Sequence, residues 1–200
     1  MSELDDLQRI LGYLDAVPDP DDEPTRDDLH RLGDEVYTTR FWTPRFCHAV
    51  IRAAEAIGAF EPQDDDPVPG REISLAAISP RLFEAFEQDI GMRLFPRLQT
   101  VWPYIDYHGL RDAFVIRYAM GEQESLRMHH DVAQISASMK LNDGFEGGEL
   151  EFPRQGVSNA GLRVGELITW PSLVTHPHAG NQLRSGVKYG LTIWFELPVI

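Results

Sequence analysis

Gln134-Ile135-Ser136-Ala137-Ser138-Met139-Lys140-Leu141 is the stretch whose reading decides the fold class. Ile135, Ala137, Met139 and Leu141 fall on one face of an extended chain, and Ser136, Ser138 and Lys140 on the other. Strict alternation is the mark of a strand with one covered and one polar face. Asn142-Asp143-Gly144 comes directly after and predicts a tight turn.

Strands extend outward from this one. Asp112 to Met120 is dense in Phe, Val, Ile and Tyr, the residues that fit a pleated sheet. Glu149 to Phe152, Glu166 to Trp170, Val174 to His178 and Lys188 to Leu197 read as further strands, separated by Gly-rich turns. Short strands at regular spacing predict a sandwich or jelly-roll barrel. Upstream, to about residue 105, the pattern reads mostly helical. Leu4, Leu7, Ile10, Leu11 and Leu14 lie at helical spacing, and the segment 19–24 reads as a solvated linker. Thr43-Pro44 and Ser79-Pro80 are helix starts, a capping hydroxyl followed by proline. An apolar stripe succeeds each: Phe46, Val50, Ala54 and Ile57, then Leu82, Phe83, Phe86 and Ile90. The acidic stretch 63–70 reads as a solvated loop. The expectation is an α+β, mainly β chain forming one domain over 1–200, with 1–105 as helical support and 106–200 as the jelly-roll core.

Composition narrows the function. The chain has 200 residues, 42% hydrophobic and 25% charged, enough for one sizeable core. No apolar run approaches the ~20 residues that span a bilayer, so no membrane partner is expected. The acidic start, Met1-Ser2-Glu3-Leu4-Asp5-Asp6, lacks the features of a signal peptide, and a cytoplasmic location is the default expectation. A formal charge of -14 with no basic cluster disfavours nucleic acid, which is bound through Lys and Arg contacts to phosphate. Cys47 is the single cysteine; it excludes an internal disulfide and a Cys-rich metal site, and its place in an amphipathic helix predicts burial.

Two histidine groups carry the chemistry. His129-His130-Asp131 comes after the first predicted barrel strand, and His176-Pro177-His178 ends a later one. In extended backbone His129 and Asp131 share a face while His130 points away. The same alternation lets His176 or His178 face inward, and one suffices. Two imidazoles and a carboxylate form the facial triad of non-haem Fe(II) oxygenases, with three coordination positions left open. His-x-Asp alone is a weak signal. Lys188 strengthens it: it lies ten residues after His178 in an apolar strand, where an unpaired ammonium is costly. A bound dicarboxylate would neutralise it, and Tyr118 is placed to donate to the same carboxylate. Trp170 reads as barrel core, His130 as exposed, and Arg117 as a structural ion pair. Glu122, Glu124, Asp143 and Glu149 border the expected mouth as solvated loop charges.

The chain resembles the 2-oxoglutarate/Fe(II) oxygenases, and among them the catalytic domain of procollagen lysyl hydroxylases and their prolyl 4-hydroxylase relatives. The resemblance runs from about residue 35 to 197. It is carried by Phe114-Val115-Ile116-Arg117-Tyr118, Gly121-Glu122-Gln123-Glu124-Ser125-Leu126-Arg127-Met128-His129-His130-Asp131, Phe145-Glu146-Gly147-Gly148, Thr175-His176-Pro177-His178-Ala179-Gly180 and Gly186-Val187-Lys188-Tyr189. Upstream, Glu35 to Ile57 resembles the helix that opens the family's domain. The resemblance implies a double-stranded β-helix, a cupin-like jelly-roll barrel with supporting N-terminal helices. It also implies His178 rather than His176 as the second imidazole ligand. The cofactors implied are Fe(II), 2-oxoglutarate and O2, with ascorbate as a stimulant. The activity implied is hydroxylation of an unactivated C–H bond of an amino-acid side chain, free, carrier-bound or peptidyl, with succinate and CO2 as coproducts; a homodimer is a further expectation.

This sequence departs from the pattern in places. Lysyl hydroxylases carry arginine at Lys188, where prolyl 4-hydroxylases carry lysine. The family's asparagine near Ser138 is missing, which leaves the cosubstrate contact open between Ser136 and Ser138. Two competing functions share the fold. A nucleic-acid demethylase is opposed by the charge and by Lys188, and a non-catalytic metal-binding barrel by the full ligand set.

Overall fold

The computed structural model describes residues 29–62, 68 and 70–198. The expected helix over 4–14, the linker at 19–24 and most of the acidic loop lie outside the described residues. In chain order the elements are β1 (His30–Gly33), β2 (Val36–Arg40), α1 (Pro44–Ile57), β3 (Glu72–Ser74), α2 (Leu75–Ile78), α3 (Pro80–Asp89), a π-turn (Ile90–Leu94) and α4 (Phe95–Val101). Next come the barrel strands: β4 (Leu110–Ala119), β5 (Leu126–His129), β6 (Ile135–Lys140), β7 (Glu146–Gly147), β8 (Leu150–Phe152), β9 (Val157–Ser158), β10 (Glu166–Pro171), β11 (His178–Gly180), β12 (Leu183–Ser185) and β13 (Val187–Phe195).

The helices begin where the sequence says. Thr43 and Ser79 accept from the backbone N–H three residues on, each with proline next at the first helical position. Gly58 ends α1 in the left-handed conformation, its N–H on Ala54 O. After α3 one turn widens to the π pattern and then runs into Phe95-Pro96. Pro96 has no N–H, and its ring crowds the preceding turn, so a regular α register would fail there.

A seven-stranded antiparallel sheet, β1-β2-β10-β6-β13-β4-β3, faces a smaller sheet, β5-β11-β8-β9; together they form the jelly roll. The first half, read as mostly helical, also carries strands that the reading did not include. β1, β2 and β3 come from that half and extend both edges of the large sheet. The segment expected to open the domain as a helix begins instead with a hairpin. Ile57 is also 45% exposed, because α1 ends there and its stripe no longer meets the sheet.

Alternation decides what each face does. Ile135, Ala137, Met139 and Leu141 join Leu191, Ile193, Val115 and the helical residues Phe46, Val50, Leu82, Phe86 and Leu98 in one core. At about 25 cal/mol per Å² of apolar area, this face carries most of the burial energy. The opposite face of the same strands lines a cavity between the two sheets.

Candidate metal centre

His129 and His178 are direct partners across the β5–β11 pair, which sets their ring centroids 4.4 Å apart. His129 Nε2 lies 3.5 Å from Asp131 Oδ1, and His178 Nε2 lies 3.6 Å from Asp131 Oδ2. Donor atoms of the three residues all fall within 4.8 Å of one another. Ligands at right angles on one first-row ion sit about 3 Å apart, so a single ion is within reach of all three.

Backbone carbonyls orient both rings. His129 Nδ1 donates to Arg127 O at 2.8 Å, and His178 Nδ1 to His176 O at 3.0 Å. With those protons on Nδ1, each Nε2 presents its lone pair to the shared point. Burial holds the His178 imidazole below its ordinary value, against the pull of Asp131. Burial pushes the Asp131 carboxyl up. The His129 hydrogen bond, the charge of His178 and the Ser136 hydroxyl outweigh burial and hold the carboxyl below the usual range. Asp131 Oδ2 is buried without a hydrogen bond among the described residues. Two imidazoles and a carboxylate with an orphaned oxygen fit a divalent Fe(II).

His129, Asp131 and His178 line a cavity of about 290 Å³ together with Tyr118, Ser138, Trp170 and Lys188. Lys188 and Tyr118 are direct partners across β13 and β4. Lys188 Nζ lies 4.6 Å from the Tyr118 ring centroid and donates to Gly148 O at 2.5 Å. Burial brings its ammonium down to about 8, against the charge of Glu149. Tyr118 makes room for its hydroxyl against Gly180, where a Cβ would stand 2.8 Å from the oxygen.

Ser136 is a correction. It does not line the cavity; its hydroxyl bonds Ser172 at 2.7 Å and supports Asp131. Ser138 is the one of the pair that faces the open space. The strand expected at Val174–His178 is also displaced: β11 begins at His178. Leu173 at φ 64 opens the preceding turn, and its N–H bonds Asp131 O at 2.9 Å. His176 is buried and points elsewhere, its ring bonding Thr175 Oγ1 at 2.9 Å and Asp34 O at 3.1 Å. His130 is exposed, and Arg117 pairs with Glu122 at 2.8 Å.

Trp170 is both core and wall. It is 2% exposed, and its ring lies 4.9 Å from that of His178. Sequence reasoning missed Glu72, a carboxylate 6% exposed that lines the same cavity. The signal was the polar-apolar-polar triplet Glu72-Ile73-Ser74, too short to stand out. Of the acids expected near the mouth, Asp143 and Glu149 line a neighbouring space, and none of the four lines this cavity.

The sequence profile of the 2OG-Fe(II) oxygenase superfamily matches residues 113–196. The multifunctional procollagen lysine hydroxylase and glycosyltransferase of Caenorhabditis elegans is 26% identical over 167 residues, covering 78% of this chain and 23% of that protein. Human procollagen-lysine,2-oxoglutarate 5-dioxygenase 2 is 34% identical over 79 residues, 38% of this chain and 11% of that one. The chain therefore spans about a quarter or less of the curated relatives it matches. Among solved structures, the viral collagen prolyl hydroxylase of Paramecium Bursaria Chlorella virus-1, as its 2OG complex, aligns with TM-score 0.63 at 20% identity, covering 83% of this chain and 98% of that one. A Pseudomonas putida prolyl-4-hydroxylase aligns with TM-score 0.60 at 17% identity, covering 96% and 100%. Through this barrel the chain is similar to the 2OG-Fe(II) oxygenase superfamily over residues 113–196 and, more widely, to the procollagen lysine hydroxylases, and it shares its fold with the prolyl hydroxylase structures.

Proposed function

We propose that the chain is an Fe(II)- and 2-oxoglutarate-dependent hydroxylase of an amino-acid side chain, free, carrier-bound or peptidyl. One observation carries the reading: the His129–Asp131–His178 cluster and the enclosed Lys188 ammonium share a single cavity. In this reading His129 Nε2, Asp131 and His178 Nε2 hold the metal. Bound there, Fe(II) with O2 and 2-oxoglutarate supplies the oxidation, yielding succinate, CO2 and one oxygen atom inserted into a C–H bond.

The remaining roles belong to the protein. Lys188 Nζ and the Tyr118 hydroxyl receive the far carboxylate of the dicarboxylate, and Ser138 lies along its path. Lys188 is a point charge without the bidentate fork of arginine, so Tyr118 supplies the second, directional bond. Trp170 and Leu150 wall the cavity and keep bulk water from the reacting atoms. The net charge of -14 supports a substrate other than nucleic acid. A cytoplasmic setting belongs to the same proposal.

The test is spectroscopic. Under nitrogen, the Fe(II)-loaded protein develops weak visible absorption when 2-oxoglutarate is added, and His178→Ala does not. Succinate release screened against amino acids and short peptides then identifies the substrate. An unchanged spectrum in wild type, or full absorption in His178→Ala, refutes the assignment.

A further inference from the structure

We propose that the barrel has two doors, and that the dicarboxylate enters, and succinate leaves, through an opening behind Lys188 while the substrate uses the mouth beside the metal cluster. The proposal rests on the hydroxylase reading. A second cavity, of about 470 Å³, adjoins the first. The two share Ser138, Lys188 and Gly190, so Lys188 stands at their junction.

The sheet register puts the openings at opposite ends. Between β6 and β13, Ser136 pairs with Trp194 at one end and Lys140 with Gly190 at the other. The first cavity meets solvent at the Trp194 end. There Arg111, His130 and Val132 are exposed, with Arg111 5.7 Å from the Trp194 ring and donating to Val132 O. The second meets solvent at the Lys140 end, where Asp143, Ala160 and Arg184 are exposed. Gly190 shares the inner face with Lys188. A Cβ on Gly190 would stand 3.9 Å from Ser138 Oγ, so glycine leaves the span between the cavities unfilled.

The order of groups along the ligand favours the rear route. In the hydroxylase reading the far carboxylate rests at Lys188 and the keto-acid end at the metal. A dicarboxylate arriving from behind Lys188 threads keto-acid end first and leaves its trailing carboxylate on the ammonium. One arriving by the mouth must carry that carboxylate past Asp131 and between apolar walls, against charge repulsion and loss of hydration. The acceptor that Lys188 now holds, Gly148 O, belongs to the second cavity. Exchanging this neutral acceptor for a charged one strengthens the bond. The rear wall balances its charges, Lys140, Arg184 and Lys188 against Asp143, Glu146 and Glu149. The chain as a whole carries -14, so this opening repels a dianion less than the average surface does. Succinate leaving by the rear does not wait for the mouth to clear.

The experiment plugs each opening in turn. Cys47 is buried and its thiol is pushed up to about 12, so a cysteine introduced at the surface takes the label. Ala160→Cys and Val132→Cys are compared before and after reaction with pyrenyl maleimide, then loaded with Fe(II) under nitrogen. Stopped-flow absorption follows the binding of 2-oxoglutarate. Label at Ala160→Cys should slow association and dissociation alike by at least about tenfold, because a barrier on the route leaves the bound state untouched. Label at Val132→Cys should leave both rates within about twofold. Glu146→Cys, exposed on the same rear rim, supplies a second plug if Ala160→Cys does not fold. Slowing at Val132→Cys as large as at the rear, or a rear label that weakens equilibrium binding instead of slowing both rates, overturns the proposal. Absorption with unaltered rates in every labelled variant sinks the second door alone. No absorption in the unlabelled protein sinks the hydroxylase reading and the door with it.

Discussion

Replacing Lys188 with methionine should stabilise the metal-free, cosubstrate-free protein while destroying its hold on 2-oxoglutarate. The ammonium is enclosed, donates to Gly148 O, and lies over Tyr118. No carboxylate is in ion-pair contact with it among the described residues. Its fall from an ordinary 10.5 to about 8, at about 1.4 kcal/mol for each tenfold change in proton affinity, sets a ceiling of about 3 kcal/mol on the cost of keeping it charged. Losing the hydrogen bond to Gly148 O returns about 1 kcal/mol. The net is about 2 kcal/mol at pH 7, or about 4–8 °C in Tm for a chain of this size.

The pH dependence gives the sign. The folded-state value lies below the unfolded one. Below about pH 8 both states are charged, and the folded state bears the whole penalty. Above it the folded state sheds its proton while the unfolded chain keeps it, so wild-type stability rises toward the ordinary lysine value. Circular-dichroism melts with EDTA at pH 7 and pH 10 should show the variant ahead at pH 7 and the gap narrowing at pH 10. With metal added, 2-oxoglutarate should raise the wild-type Tm and leave that of the variant unmoved. A wild type more stable than the variant at pH 7, or a gap indifferent to pH, refutes the reasoning.

Two further outcomes are expected. His176→Ala should retain iron binding in a titration but lose about 1–2 kcal/mol in urea unfolding, since its ring ties the turn before β11 to Asp34 O; iron loss matching that of His178→Ala would contradict this. Gly165→Ala should cost more than about 3 kcal/mol, because φ is +87 and a Cβ would run into the backbone oxygen of Trp42; a wild-type Tm would show that the β2–β10 junction yields more readily than its packing implies.

Much of the site was readable because extended backbone alternates. His129 and Asp131 two apart, or Ser138 opposite Met139 in facing, are set by a period of two wherever a strand runs. The same rule could not choose between His176 and His178, which have the same parity. The turn at Leu173 and the bond from Leu173 N to Asp131 O break the strand before His178 and turn His176 toward Asp34. Ser136 was misjudged for a related reason. Its parity is right, but Ser172, far off in sequence, occupies its hydroxyl.

The sequence by itself determined the strand faces, the helix starts at Thr43 and Ser79, and the residue types able to bind a metal and a dicarboxylate. These depend on local periodicity and on the chemistry of single side chains. Only the tertiary structure decided that Lys188 stands opposite Tyr118, that His129 stands opposite His178, and that Glu72 enters the same cavity. Those pairings join segments separated by tens of residues. Strand order and register set them, and both come from burying one face of the large sheet against the helices.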